Sequence, residues 1–138
     1  MSVYLDASVI VALFVEDALS ARAQTKVANQ ADSLIVSDYA ALEFSASVMR
    51  LARSGMIAAK DARAALVEFD SWVAAHCERP PTVAVDIVLA NSLVRRDDTA
   101  LRSADAVHVA MAQRLGAHLC TFDKKLAGSA RRLGLAIA

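Results

Sequence analysis

The sequence predicts an α/β fold of three layers, α/β/α, with helices on both faces of a mostly parallel sheet. Two observations carry this. Short apolar, β-prone runs alternate with longer helical segments, the pattern of a parallel sheet covered by helices. Only four glycines and two prolines punctuate 138 residues, which leaves most of the chain in regular structure.

The elements follow in order. Val3-Tyr4-Leu5 reads as a strand, and after Asp6 the pattern turns helical through Val15. A helix follows from about Ala18 to Asn29, then a weak strand at Ser33 to Val36, placed by Leu34-Ile35-Val36. Tyr39 to Ser54 is a helix stopped by Gly55, a residue that tolerates the left-handed turn beyond a helix end. Ala58 to His76 is a long helix, and Pro80-Pro81 cannot continue it. Thr82 to Val85 is expected as a strand, with helices at Ile87 to Arg95 and Ser103 to Leu115, the latter ended by Gly116. His118 to Phe122 is a strand, Lys124 to Leu133 a helix ended by Gly134, and Leu135 to Ile137 a last strand. No repeat or linker divides the chain, so one domain spanning residues 1–138 is expected.

Composition narrows the function classes. The chain is 57% apolar and 22% charged, enough to bury a sizeable core and too ordered for a disordered segment. Two cysteines, Cys77 and Cys120, exclude a disulfide scaffold and a Cys-rich zinc site and fit a reducing cytosol. The longest strongly apolar run, Val9 to Val15, falls far short of the roughly 20 residues of a membrane span. No basic start of a signal peptide is visible, so a cytoplasmic protein with no membrane partner is expected. Formal net charge is zero, but residues 1–94 carry 7 Lys/Arg against 11 Asp/Glu and residues 95–138 carry 8 against 4. That asymmetry is compatible with a basic binding face.

Several chemistries lack their motifs. There is no G-x-G-x-x-G, no Walker-type loop and no G-x-S-x-G elbow. His76, His108 and His118 have no metal-ligand spacing; His108 and His118 read as packing or surface residues. Cys120 reads as a small core hydrophobe. Carboxylates remain.

Asp6 is the only charge between Val3 and Val15 and stands where a strand gives way to a helix, the edge at which parallel sheets bind ligands. Capping the helix is an equal reading for Asp6 or Ser8. Asp105 shares a helix face with His108, Val109 and Ala112, so its carboxylate belongs near the sheet, where an unpaired charge is costly. A first-turn Asp favoured by the helix dipole is the alternative. Asp123 repeats the strand–acid–helix order of Asp6 and, alone, reads as a cap. Glu43 lies on a polar strip with Tyr39, Ser47, Arg50 and Arg53, and alone reads as solvated. Together the four occupy positions that a parallel sheet can bring to one edge. Clustered carboxylates repel unless a cation compensates. An all-oxygen set suits Mg²⁺ or Mn²⁺, which hold phosphates and activate water. The expected chemistry is metal-assisted phosphodiester hydrolysis.

Four segments in register resemble one family. V-Y-L-D-A-S-V-I-V-A-L-F at 3–14, A-L-E-F around Glu43, L-R-S-A-D-A-V-H-V-A-M-A at 101–112 and T-F-D-K-K-L at 121–126 resemble the PIN domain. Within it they resemble the VapC toxins of type II toxin–antitoxin systems, over essentially the full length. The resemblance implies a five-stranded parallel sheet and a Mg²⁺- or Mn²⁺-dependent endoribonuclease. It also implies a homodimer inhibited by a cognate VapB-like antitoxin covering the active site. By this match Asp6, Glu43, Asp105 and Asp123 form the acidic site, with Ser8 and Thr121 as supporting polar groups.

Asp6 and Asp105 are the direct metal ligands on this reading, Asp123 binds the same ion or a second, and Glu43 acts through water. For the RNA, Arg50 lies about 10 Å along the helix from Glu43 on nearly the same face. Lys124 and Lys125 follow Asp123, Arg131-Arg132 lie two turns on, and Arg95, Arg96 and Arg102 precede Asp105. Each is a candidate phosphate contact or simply solvated charge. Two rivals fit less well. A haloacid-dehalogenase-like phosphatase wants D-x-D, and Ser8 stands at the second position. A receiver-like Mg²⁺-binding signalling domain needs an acidic pair after the first strand and a mid-chain strand–Asp–turn, for which Val85-Asp86 is the sole candidate. A PIN-like fold acting only as a binding subunit is disfavoured by the presence of all four acids.

Overall fold

The computed structural model describes residues 1–30 and 32–138. Its elements are β1 (Val3–Leu5), α1 (Ala7–Phe14), α2 (Ser20–Ala28), β2 (Leu34–Ile35), α3 (Asp38–Arg53), α4 (Ala59–His76), β3 (Cys77–Glu78), α5 (Ala84–Val94), α6 (Ser103–Arg114), β4 (His118–Cys120) and α7 (Lys124–Arg132). The strands form one parallel sheet in the order β3-β2-β1-β4.

Alternation along β1 sorts the two faces, because successive side chains of a strand point to opposite sides. Val3 and Leu5 enter a core with Val9, Ile10, Phe44, Val48, Phe69 and Val73, drawn from α1, α3 and α4. Tyr4 enters the other, with Ala90, Val109, Met111, Leu119, Leu126 and Ala130 from α5, α6, β4 and α7. This is the expected α/β/α layering. On the first face Phe14, Phe44, Phe69 and Trp72 pack as an aromatic group with ring centroids 4.3 to 5.9 Å apart. On the second, α6 is buried from Ala106 to Ala112, and its small residues let α5 approach closely. Gly55 and Gly116 follow α3 and α6 with φ of 77° and 61°, the left-handed turn that the sequence assigns to them.

Two expectations need correction. Among the described residues the sheet has four strands rather than five; Ile137 adds a single parallel bridge to Leu119, with no strand over 135–137. Thr82 to Val85 is not a strand. Cys77–Glu78, directly after α4, takes that place beside β2. Thr82 instead gives its N–H and hydroxyl to Asp38 at 2.8 and 2.5 Å, and the Val83 N–H goes to Asp86, so α5 starts at Ala84. A strand of two residues adjoining a long helix leaves no periodicity to read.

Among the described residues no helix is long and apolar enough to cross a membrane. Asp86, the acid that a receiver-like domain would need after a strand, lies inside α5. It is 1% exposed and clamped by Arg114 of α6 through Nε and a second guanidinium nitrogen at 2.6 and 2.9 Å. The phospho-acceptor reading therefore has no residue to stand on.

Candidate active site

The chain leaves β1 toward β2 on one side, and β4 pairs on the other, so the gap beside β1 is a topological switch point, where crevices open in parallel sheets. Register sets the contents of that crevice. Leu5 pairs with Cys120, and the Asp6 N–H donates to the Cys120 carbonyl at 3.1 Å, so the turns after both strands lie side by side.

Asp6 caps α1: its Oδ1 accepts from the N–H groups of Ser8 and Val9 at 2.9 and 3.3 Å. The Ser8 hydroxyl donates to the same oxygen and the Thr121 hydroxyl donates to Oδ2 at 2.6 Å. In return Ser8 Oγ accepts from the Phe122 N–H at 2.9 Å, and Thr121 Oγ1 from the Asp123 N–H at 3.0 Å. The two hydroxyls thus fasten the β4–α7 turn to the β1–α1 turn through one carboxylate. Capping and site reading coexist in Asp6. Burial pushes its carboxyl above the usual range, while the hydroxyl bonds and the nearby His108 pull in the opposite direction.

Asp123 caps α7, with Oδ1 accepting from Lys125 and Leu126. Asp105 lies in the first turn of α6, where Oδ2 accepts from the Arg102 N–H at 3.2 Å. The Arg102 guanidinium lies between these two acids, 3.4 Å from Asp105 and 3.9 Å from Asp123. Glu43, on α3, bonds through Oε1 to His108 Nε2. Asp6, Glu43, Asp105 and Asp123 line one cleft of about 410 Å³, together with Ser8, Asp17, Ser47, Arg50, Arg102 and His108.

His108 has more partners than the packing role that the sequence suggests for it. It is buried, yet it lines the cleft and joins Glu43 to a chain through the core. Its Nδ1 is 2.8 Å from the Tyr4 hydroxyl, which is 2.7 Å from Ser37 Oγ, the cap of α3. Every group is satisfied when Ser37 donates to Tyr4, Tyr4 to Nδ1, and Nε2–H to Glu43. The available signal was spacing: His108 is three residues after Asp105 and therefore on its face. His108→Ala removes one of the partners of the buried Tyr4 hydroxyl, which keeps Ser37, and leaves a void. A loss of about 2–3 kcal/mol is expected in urea unfolding.

The basic candidates separate. Arg50 and Arg102 line the acidic cleft, whereas Lys124 and Arg131 line a neighbouring cavity. Lys125 and Arg132 are exposed and line neither, and Arg96 is paired with Asp98 at 2.6 Å. Neither cysteine is a nucleophile candidate, since burial pushes the Cys77 thiol up to about 12 and raises that of Cys120.

The four carboxylates are oxygen donors of the type a hard divalent cation takes, and one of them, Asp6, is destabilised as an anion by burial. Among the described residues no three acids or histidines converge tightly enough to enclose an ion. Arg102 supplies the positive charge between Asp105 and Asp123 in this arrangement.

A family model described as PIN domain matches residues 3–131. No curated protein sequence matches the chain. Solved structures with the same fold include Mycobacterium tuberculosis VapC20, a sarcin-ricin loop cleaving toxin, at TM-score 0.73 and 20% identity, covering 99% of this chain and 98% of that one. VapBC2 from Rickettsia felis, bound to a DNA fragment from its promoter, aligns at TM-score 0.73 and 14% identity over 100% of this chain and 98% of its own. FitAcB from Neisseria gonorrhoeae aligns at 0.74 and 14% over 98% and 95%. At these identities the likeness is one of fold.

Proposed function

The chain belongs to the PIN domain family, and from that premise we propose that it is an endoribonuclease acting as the toxin of a toxin–antitoxin pair. One observation carries the reading: four carboxylates from four separate segments line a single cleft at the switch point of the sheet. The neighbours lend support, since VapC20 is a toxin that cleaves the sarcin-ricin loop.

Asp6, Asp105 and Asp123 would hold Mg²⁺ or Mn²⁺, with Glu43 acting through water, and the ion would supply charge neutralisation at the phosphate and a more acidic water. The rest falls to the side chains. Ser8 and Thr121 fix the rotamer of Asp6 by donating to opposite oxygens. His108 holds Glu43 by Oε1, and Oε2 makes no bond among the described residues, so it is the atom available to take a proton from water. Arg102, exposed and drawn to Asp105 and Asp123 in the free protein, is the cation placed to turn to a substrate phosphate as it arrives.

A VapB-like antitoxin covering the cleft and a homodimer complete the proposal. Within residues 18–76, Leu42, Met49, Met56 and Val67 are exposed and suit such contacts. A denser apolar set, Val83, Val85, Ile87, Val88 and Val94, lies on and beside α5, which makes that helix the stronger candidate for the dimer face.

Purified protein free of any partner is expected to cut single-stranded RNA when Mg²⁺ or Mn²⁺ is added and to stop on chelation by EDTA. Cleavage that continues unchanged in EDTA would overturn the mechanism.

A further inference from the structure

An acidic cleft is a poor place to bind a polyanion, so affinity for RNA must come from cations nearby. Of the two arginines in the cleft, Arg102 is already engaged by Asp105 and Asp123. Further cations gather next door. A cavity of about 370 Å³ between α2 and α7 is lined by Arg22 and Lys26 from one helix and Lys124 and Arg131 from the other. Asp123 is its sole carboxylate side chain and also lines the acidic cleft, so the β4–α7 turn is a shared wall. Among the described residues Arg22, Lys124 and Arg131 form no ion pair, and Lys26 donates to the main-chain oxygen of Ala138. The Arg22 guanidinium lies 5.0 Å over the Phe122 ring, which orients it without neutralising it. Convergent like charges, three of them without an ion pair among the described residues, are stabilised by an anion.

We propose that this cavity is a phosphate subsite for the backbone of single-stranded RNA flanking the cleavage cleft. The proposal rests on the endoribonuclease reading for the identity of the polyanion. A strand seated there passes over the β4–α7 turn and presents the adjoining phosphodiester to the carboxylates. Arg22 and Lys26 carry no motif, and only their convergence with α7 marks them.

The test is fluorescence anisotropy of a short labelled single-stranded RNA with the full chain in EDTA, across a range of sodium chloride concentrations. Arg22→Gln with Arg131→Gln is expected to weaken binding and lower the log–log salt slope by roughly 1.4, at roughly 0.7 for each phosphate contact. Lys124→Gln alone should lower it by roughly 0.7, which keeps the test open if the double variant fails to fold. Arg63→Gln, an exposed charge on α4 outside both cavities, should leave the slope unchanged. A slope equal to that of the unaltered protein in both cavity variants overturns the subsite. Cleavage with added Mg²⁺ is scored separately. Cutting with an unmoved slope rejects the subsite alone, whereas a lowered slope without cutting rejects the nuclease and keeps the subsite.

Discussion

Asp6→Asn and Asp105→Asn are each expected to lower RNA cleavage by about 10³-fold or more, roughly 4 kcal/mol of transition-state stabilisation, with the fold intact. An asparagine keeps the shape and one acceptor oxygen but not the charge that the cleft is built around. The cap on α1 survives in Asp6→Asn, because its remaining carbonyl can still accept from Ser8 and Val9. Stability should move the other way. Burial raises the Asp6 carboxyl above the usual aspartate range, so the folded protein holds that proton at pH values where the unfolded chain has released it. Stability therefore falls as pH rises from the ordinary value through the raised one, and stays reduced above it. Without added metal, Asp6→Asn should melt higher than the unaltered protein at neutral pH, and the gap should close in acid. A lower melting temperature at neutral pH would mean that the ionised carboxylate's own hydrogen bonds outweigh its burial.

Breaking the Asp86–Arg114 clamp is expected to give the largest loss of stability from a single surface-accessible change. Arg114→Ala removes the guanidinium from Asp86, which is 1% exposed in the intact protein, and leaves it only the Val83 N–H as a partner. Loss of one partner from a buried pair costs about 3–5 kcal/mol, and partial exposure of Arg114 places this case near 3. Replacing both partners by leucine should recover most of it, because no charge is then stranded. The urea midpoints of the single and double variants measure the coupling. RNA cleavage per folded molecule should be unchanged, since the clamp joins α5 to α6 away from the cleft.

Legibility followed element length and chemical monotony. The long helices, the β1 and β4 strands and the acids that end them could be read because an acid closing an apolar run is conspicuous. Cys77–Glu78 was hidden by α4, and the Thr82 region looked strand-like because its caps come from Asp38 and Asp86, one of them 44 residues away in sequence. Of the site, the four carboxylates and Arg50 do line one cleft. What could not be read was pairing across the fold: His108 with Glu43, Arg102 between two acids, and Arg22 facing α7. Such partners are chosen by the approach of elements, which one-dimensional periodicity does not record.

The fastening of the β1–α1 turn to the β4–α7 turn has a consequence for the cell that makes this protein. The cleft is drawn from residues 6, 43, 105 and 123, and the central strand lacks one neighbour until β4 has emerged. A ribosome that has released two thirds of the chain has produced most of the helices and only two of the four cleft acids. Any fragment from stalled synthesis or clipping before Thr121 lacks both the hydroxyl that orients Asp6 and the acid beside it. On the endoribonuclease reading proposed above, cleavage has to wait for the last segments of the chain.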